Sequence, residues 1–161
     1  MQCESDEGRL PVVLRGAGLH GGSVSVSGAK SSQYLSALLF MAPLIGEKVE
    51  IEVRDGLVSQ PLVNTTIEVM RQAGIAVEAA DDLLYFSIEG GQAYRAGEFS
   101  VNGDYPSSAA LLAAGAVAGG DFYLNRLFVD SQGERAVLPL LCEMGCDVDH
   151  DGKSVHLRGD G

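Results

Sequence analysis

The chain repeats itself, and that limits what it can fold into. Gly28 follows a short alternating strand, Val24-Ser25-Val26, and precedes two serines, Ser31-Ser32, that open an apolar helix. About 75 residues later, Gly103 follows Phe99-Ser100-Val101 and precedes Ser107-Ser108, with an apolar helix behind them. Next in the first half come an alternating strand over 49–53 and a helix opened by Ser59 and Pro61, stopped at Gly74. The second half offers a strand over 121–127 and a helix over 132–144 that stops at Gly145. Each half closes on a predicted hairpin, 75–88 around Asp81-Asp82 and 146–157 around Asp151-Gly152. Self-similarity at such a period marks a duplicated structural unit, and each copy reads β-α-β-α-β-β. The expected fold is α/β with mixed sheets. A flexible acidic N-terminus is expected over 1–9, a first unit with its preceding strand over 10–100, and a second over 101–161, the crossover lying at 101–106.

The chemistry concentrates in the first copy. The first N–H groups of a helix have no intrahelical partner and lie at the positive end of its dipole. Hydroxyl side chains leave room for an anion there and add donors, so the helix start after Gly28 suits a phosphate. Lys30 adds a full positive charge beside it, or is a solvated side chain. Ser31 or Ser32 can equally be an N-cap whose oxygen accepts a backbone N–H. Ser59, at the next helix start, admits the same two readings. Residue type alone leaves both open.

One helix is apolar on every side. Over 107–118 it carries alanine, leucine, glycine and valine all round, a composition that asks for burial all round. Two units cover less of it than a larger body would. An exposed apolar patch is therefore expected, relieved by self-association or by further portions of a larger body.

Four ordered segments carry a resemblance. Ser27-Gly28-Ala29-Lys30-Ser31-Ser32-Gln33-Tyr34-Leu35-Ser36-Ala37-Leu38-Leu39, Asp55-Gly56-Leu57-Val58-Ser59-Gln60-Pro61, Val101-Asn102-Gly103-Asp104-Tyr105-Pro106-Ser107-Ser108-Ala109 and Ser131-Gln132-Gly133-Glu134 resemble segments of the 5-enolpyruvylshikimate-3-phosphate synthase family. The resemblance runs from about Leu10 to the C-terminus and matches the middle third of a longer enzyme. It implies that Ser31 and Ser32 hydrogen-bond the phosphate of shikimate 3-phosphate. Gln33 then sits between that substrate and phosphoenolpyruvate, and Ser59 reaches the same phosphate. Leu62 stands where many members carry a substrate-holding tyrosine, and leucine donates no hydrogen bond. Asp104 is expected to cap the Pro106 helix or shape the crossover. Ser107 and Ser108 are echoes without a following glutamine, and Gln132-Gly133-Glu134 is a helix start.

Composition bounds the rest. At 161 residues with 46% hydrophobic and 20% charged side chains the chain is globular. A net charge of −11 argues against nucleic acid, whose backbone needs a basic partner. No apolar run is long enough to span a membrane and no basic-then-apolar leader opens the sequence, so a cytoplasmic protein is expected. The three cysteines read as reduced core residues. His20, His150 and His156 are scattered in surface or packing roles, and neither a metal site nor a cofactor is expected.

The family reaction adds a substrate hydroxyl to C2 of phosphoenolpyruvate and eliminates phosphate. It needs a poised acid and base and a cluster of cations around two anionic substrates. The resemblance places those groups before and after this chain, so no catalytic residue is assigned and the chain alone is expected to be inactive. Three other readings compete: a non-catalytic scaffold or assembly module, a complementing piece of a split enzyme, and, within the family, the enolpyruvyl transferase acting on UDP-N-acetylglucosamine.

Overall fold

Alternation fixes the first sheet. Val49, Ile51 and Val53 are buried while Glu50, Glu52 and Arg54 point outward, giving the central strand of the first unit. The computed structural model describes residues 2–16 and 18–159. Its elements run β1 (Gln2–Asp6), β2 (Arg9–Arg15), β3 (Gly22–Gly28), α1 (Ser32–Met41), β4 (Val49–Leu57), α2 (Gln60–Gln72), β5 (Glu78–Ala79), β6 (Tyr85–Ile88), α3 (Tyr105–Ala118), β7 (Asp121–Asn125), α4 (Val137–Glu143), β8 (Asp147–His150) and β9 (Ser154–Arg158). Two compact units emerge: Met1–Val58 with Met70–Tyr94, and Ser59–Val69 with Arg95–Gly161. The division falls within α2.

In the first unit the sheet order is β3-β4-β6-β5. β3 runs parallel to β4, and the other pairs are antiparallel. A parallel pair needs a crossover, and α1 supplies it. Leu35 and Leu39 bury one face of α1, at 1% and 0% exposure. Pro43, in a 3-10 turn at Ala42–Leu44, ends the helix. Phe86 and Ile88 of β6 are fully buried. Burial of each such side chain contributes roughly 1.5–3 kcal/mol.

In the second unit the sheet is β7-β9-β8, all antiparallel. Its core gathers Tyr105, Leu112, Leu127, Leu138, Leu141, Val155 and Leu157. This sheet is the first without its parallel strand. The duplication is also legible at the helix stops. Gly74 (φ 85°) and Gly145 (φ 98°) are both left-handed. Ile75 donates to the Met70 carbonyl and Cys146 to that of Leu141, both at 3.0 Å, the same glycine-terminated closure twice.

Several expectations are corrected. The acidic end carries a strand where it is described: β1 pairs antiparallel with β2 through a turn at Glu7 and Gly8, both with positive φ. Its described residues are exposed, so the backbone ladder rather than an apolar face forms it; the apolar Pro11-Val12-Val13-Leu14 run announces β2, the preceding strand expected from the sequence, whereas the polar β1 was not expected. The strand expected at Phe99-Ser100-Val101 does not form; Phe99 and Val101 are 51% and 80% exposed. Arg126 instead bonds the Ser100 hydroxyl at 2.9 Å and the Val101 carbonyl at 3.1 Å. The helix expected over 132–144 is a 3-10 turn, Gly133–Ala136, followed by the short α4. Its buried side chains are Leu138 and Leu141; Leu140 and Met144 are exposed. Cys3 and Cys142 are exposed and are not core residues, while Cys146 is half-buried and packs against the core of the second unit. The apolar all-round helix does leave side chains in the open, Leu111 at 54% and Val117 at 83%.

Candidate functional site

Strand β3 delivers the chain to α1 through Gly28, and that glycine is required. A Cβ there would meet Val53 Cγ1 at 2.7 Å, Leu57 Cα at 3.1 Å and the Gly56 carbonyl oxygen. The crowding comes from a bulge: Ser27 pairs with Arg54 but Gly28 with Leu57. Asp55 (φ 62°) and Gly56 (φ 79°) loop out between them. Bulges re-aim a strand end, and here the Val58 amide is returned to the Gly28 carbonyl at 3.1 Å.

Ser31 caps α1. Its backbone is extended (φ −166°, ψ 133°) and its hydroxyl accepts the Gln33 amide at 3.2 Å. Ser32 is the first helical residue and is 3% exposed. Gln33 and Lys30 are exposed beside it. No acidic residue stands in the first turn, so nothing there opposes the positive end of the helix dipole. The structure thus brings Lys30, Ser31, Ser32 and Gln33 together at one helix start. A cavity of about 200 Å³ lies at the other end of the helix, lined by Val24, Leu38, Met41 and Val49.

Ser59 belongs to the second unit. It is exposed and left-handed (φ 56°), and its carbonyl accepts the Leu62 amide at 3.0 Å. Leu62 is 44% exposed. Proline at the second position of α2 is tolerated because the first amides of a helix need no intrahelical acceptor.

The duplicated helix start is wired differently. Asp104 caps α3, its Oδ2 accepting the Ser107 amide at 3.0 Å. Hydrogen bonds from the Ser107 hydroxyl and amide hold its carboxyl below the ordinary aspartate value. A carboxylate therefore already fills the positive end of α3, whereas α1 has a neutral cap.

A polar network that residue types alone did not reveal fixes this second start. Gln132 accepts the Tyr105 amide at 2.9 Å and donates to the Gly103 carbonyl at 3.0 Å and to Asp130 at 2.7 Å. Asn102 donates to the same Asp130 oxygen at 3.0 Å. Burial pushes the Asp130 carboxyl up, but hydrogen bonds from Asn102 and Gln132, with the charge of Arg135, bring it below its ordinary value. Asp130-Ser131-Gln132 ahead of a helix was the available signal. Its partners lie 27 to 29 residues away, beyond the reach of local pattern.

Among the described residues no cluster of His, Cys, Asp or Glu could hold a metal ion, and no helix is long and apolar enough to cross a membrane. His150 bonds the Leu127 carbonyl at 2.8 Å, a packing role.

Comparison with known proteins agrees with the resemblance. The family model described as EPSP synthase (3-phosphoshikimate 1-carboxyvinyltransferase) matches residues 1–160. A 3-phosphoshikimate 1-carboxyvinyltransferase of Deinococcus radiodurans is 40% identical over 156 residues, 96% of this chain and 35% of that protein. The chloroplastic enzyme of Petunia hybrida is 41% identical over 150 residues, 92% of this chain and 29% of its own length. The chain thus spans about a third of the relatives it matches. Among solved structures, EPSP synthase from Acinetobacter baumannii superposes with a TM-score of 0.70 at 20% identity, covering 99% of this chain and 37% of that one. The enolpyruvyl transferase NikO from Streptomyces tendae gives 0.60 at 16% identity, over 84% of this chain and 34% of that one. These two share the α/β fold. With an α/β unit that recurs without its first strand, a Ser-Ser-Gln helix start and a family match over nearly every residue, the chain belongs to the EPSP synthase (3-phosphoshikimate 1-carboxyvinyltransferase) family.

Proposed function

We propose that this chain supplies part of the shikimate 3-phosphate site of an enzyme that joins phosphoenolpyruvate to that substrate and releases phosphate. The observation that carries the reading is the start of α1. Ser31, Ser32 and Gln33 stand there beside Lys30, with a neutral cap and no carboxylate in the first turn, in a chain of this family. The ligand set is Ser31, Ser32, Gln33 and Ser59, with Lys30 near the phosphate. The names of the relatives favour shikimate 3-phosphate over UDP-N-acetylglucosamine as the acceptor. The substrate hydroxyl gives up its proton and bonds to C2 of phosphoenolpyruvate as the C2–C3 π bond opens and C3 takes up a proton. The C2–O bond to phosphate then breaks as C3 loses a proton and the double bond is restored. That chemistry requires cations around two anionic substrates, and the helix start offers Lys30 alone. The chain by itself binds but does not turn over. Its partners are the remaining portions of the enzyme, or further copies through the exposed side chains of α3.

The test is an amide NMR titration with shikimate 3-phosphate, with shikimate as control. Phosphate-dependent shifts at Ser31, Ser32, Gln33 and Ser59 are expected. A scaffold reading draws support from the Ser31–Gln33 capping bond. It predicts no shifts at millimolar ligand, either for the chain alone or after the rest of the enzyme is added.

A further inference from the structure

The outward face of the β7-β9-β8 sheet carries a connected set of charged groups that the proposed substrate site does not use. Alternation puts Phe122, Leu124, Val155 and Leu157 on the inner face of β7 and β9 and Asp121, Tyr123, His156 and Arg158 on the other. Across the register, Asp121 pairs with Arg158 and Tyr123 with His156. On the far side, Asp147 pairs with Arg158 and Asp149 with His156. The His156 ring, 21% exposed, lies against Tyr123 with centroids 5.3 Å apart.

Both ring nitrogens are engaged. His156 Nε2 contacts the Asp121 carboxylate, and Nδ1 lies 2.9 Å from Arg158 Nη2. The other arm of Arg158 donates to Asp147 at 2.7 Å. A guanidinium has donors only, so Nδ1 must be the acceptor and its lone pair is occupied. The hydrogen bond that Arg158 donates to Asp147, with the charges of Asp147, Asp121 and Asp149, holds the Arg158 proton more firmly than usual. Arg158 therefore cannot yield it. Asp121 in turn requires a donor, which places the ring proton on Nε2.

We infer that His156 is a proton-operated clamp: it is neutral and Nε2-protonated while Arg158 is docked on Nδ1, and a proton from solvent at Nδ1 expels Arg158 from the ring. The balance is one for one. Nδ1 gains an N–H and loses the Arg158 bond, while the Nε2–H bond to Asp121 stays. Asp149, the cross-strand neighbour of His156 on β8, is the carboxylate that receives the new N–H. Arg158 keeps Asp147. Acid thus exchanges a contact within β9 for one between β9 and β8.

The experiment follows histidine ring nitrogens and arginine guanidinium signals of the full chain by NMR between about pH 8 and 5.5, a window in which exposed carboxylates stay ionised. At the alkaline end His156 is expected as the Nε2–H tautomer, and the Arg158 signals are expected to move together with His156 protonation. In His156→Gln the amide oxygen accepts from Arg158 and the amide nitrogen donates to Asp121 at every pH. Its Arg158 signals are expected to stay at their alkaline position throughout. An Nδ1–H tautomer at pH 8, or Arg158 signals indifferent to His156 protonation, overturns the inference. The wild-type measurement decides even if the variant fails to fold.

Discussion

The carbonyl of Gly28 accepts the amide of Val58 at 3.1 Å, and the approach is open only because Gly28 has no side chain. A Cβ would meet Val53 Cγ1 at 2.7 Å and Leu57 Cα at 3.1 Å. Backbone and a β-branched core side chain yield little. Gly28→Ala is therefore expected to destabilise the first unit by about 1–3 kcal/mol, read as a lower urea midpoint. Gly46 supplies the control, since nothing lies within 4 Å of a Cβ there, and Gly46→Ala should leave the midpoint nearly unchanged.

Gln132 ties Gly103 and Tyr105 to Asp130. Gln132→Leu leaves a part-buried amide and carbonyl without their partner, which costs about 1–3 kcal/mol. The specific signature is local: the Tyr105 amide should exchange with solvent markedly faster than those of β9. Equal exchange at Tyr105 in both proteins would show that the side chain does not hold this turn.

Asp104 makes a pH-dependent contribution whose sign follows from its cap. Its folded carboxyl is depressed by the Ser107 hydroxyl and amide. The unfolded state therefore binds its proton first as pH falls. The stabilisation is complete above the ordinary aspartate value of 3.8 and is lost as pH drops through the lower folded value. Asp104→Asn keeps an acceptor without the charge, so its thermal midpoint should fall less on acidification than that of the wild type. Parallel acid profiles would remove Asp104 from the account.

How much of this was legible depends on distance along the chain. The α1 start, the α3 cap and both glycine stops rest on side chains within a few residues of one another, and their types announce them. β4 is legible because its apolar side chains alternate over one buried face. The β1–β2 hairpin is legible only in part: the apolar run of β2 suits a strand, but the polar β1 carries no local signal of its own. Phe99 and Val101 mislead for the opposite reason: their residue types suit a strand, but Arg126 takes the Val101 carbonyl that a ladder would use. α4 shows that period alone cannot choose a face, since Leu138 is buried and Leu140, two residues on, is exposed. At the candidate site the sequence supplied the residue types. The bulge at Asp55 and Gly56 that shapes the approach to Val58 came only with the pairing register.

The exposed side chains of α3 make association measurable. Leu111 and Val117 stand in the open on a helix with no charged residue. Sedimentation of the chain should show weight-average mass rising with concentration, and Leu111→Glu with Val117→Lys should abolish the rise. A concentration-independent monomer for the unsubstituted chain would mean that these side chains tolerate water without a partner.

Ser31 separates the cap from the ligand. Its hydroxyl accepts the Gln33 amide, a job aspartate does as well as serine, while alanine loses about 1 kcal/mol. At a helix N-terminus the added negative charge is itself favourable, by about 0.3–1 kcal/mol. Ser31→Asp should therefore be at least as stable as the wild type, and Ser31→Ala less stable. Their effects on ligand run the other way. A carboxylate about 4 Å from a phosphate repels it by about 4 kcal/mol per unit charge at an effective dielectric near 20, so Ser31→Asp should weaken shikimate 3-phosphate more than tenfold. Ser31→Ala removes one hydrogen bond and should weaken it several-fold. If Ser31→Asp binds shikimate 3-phosphate as the wild type does, the serine is a cap and nothing more, and the phosphate sits elsewhere.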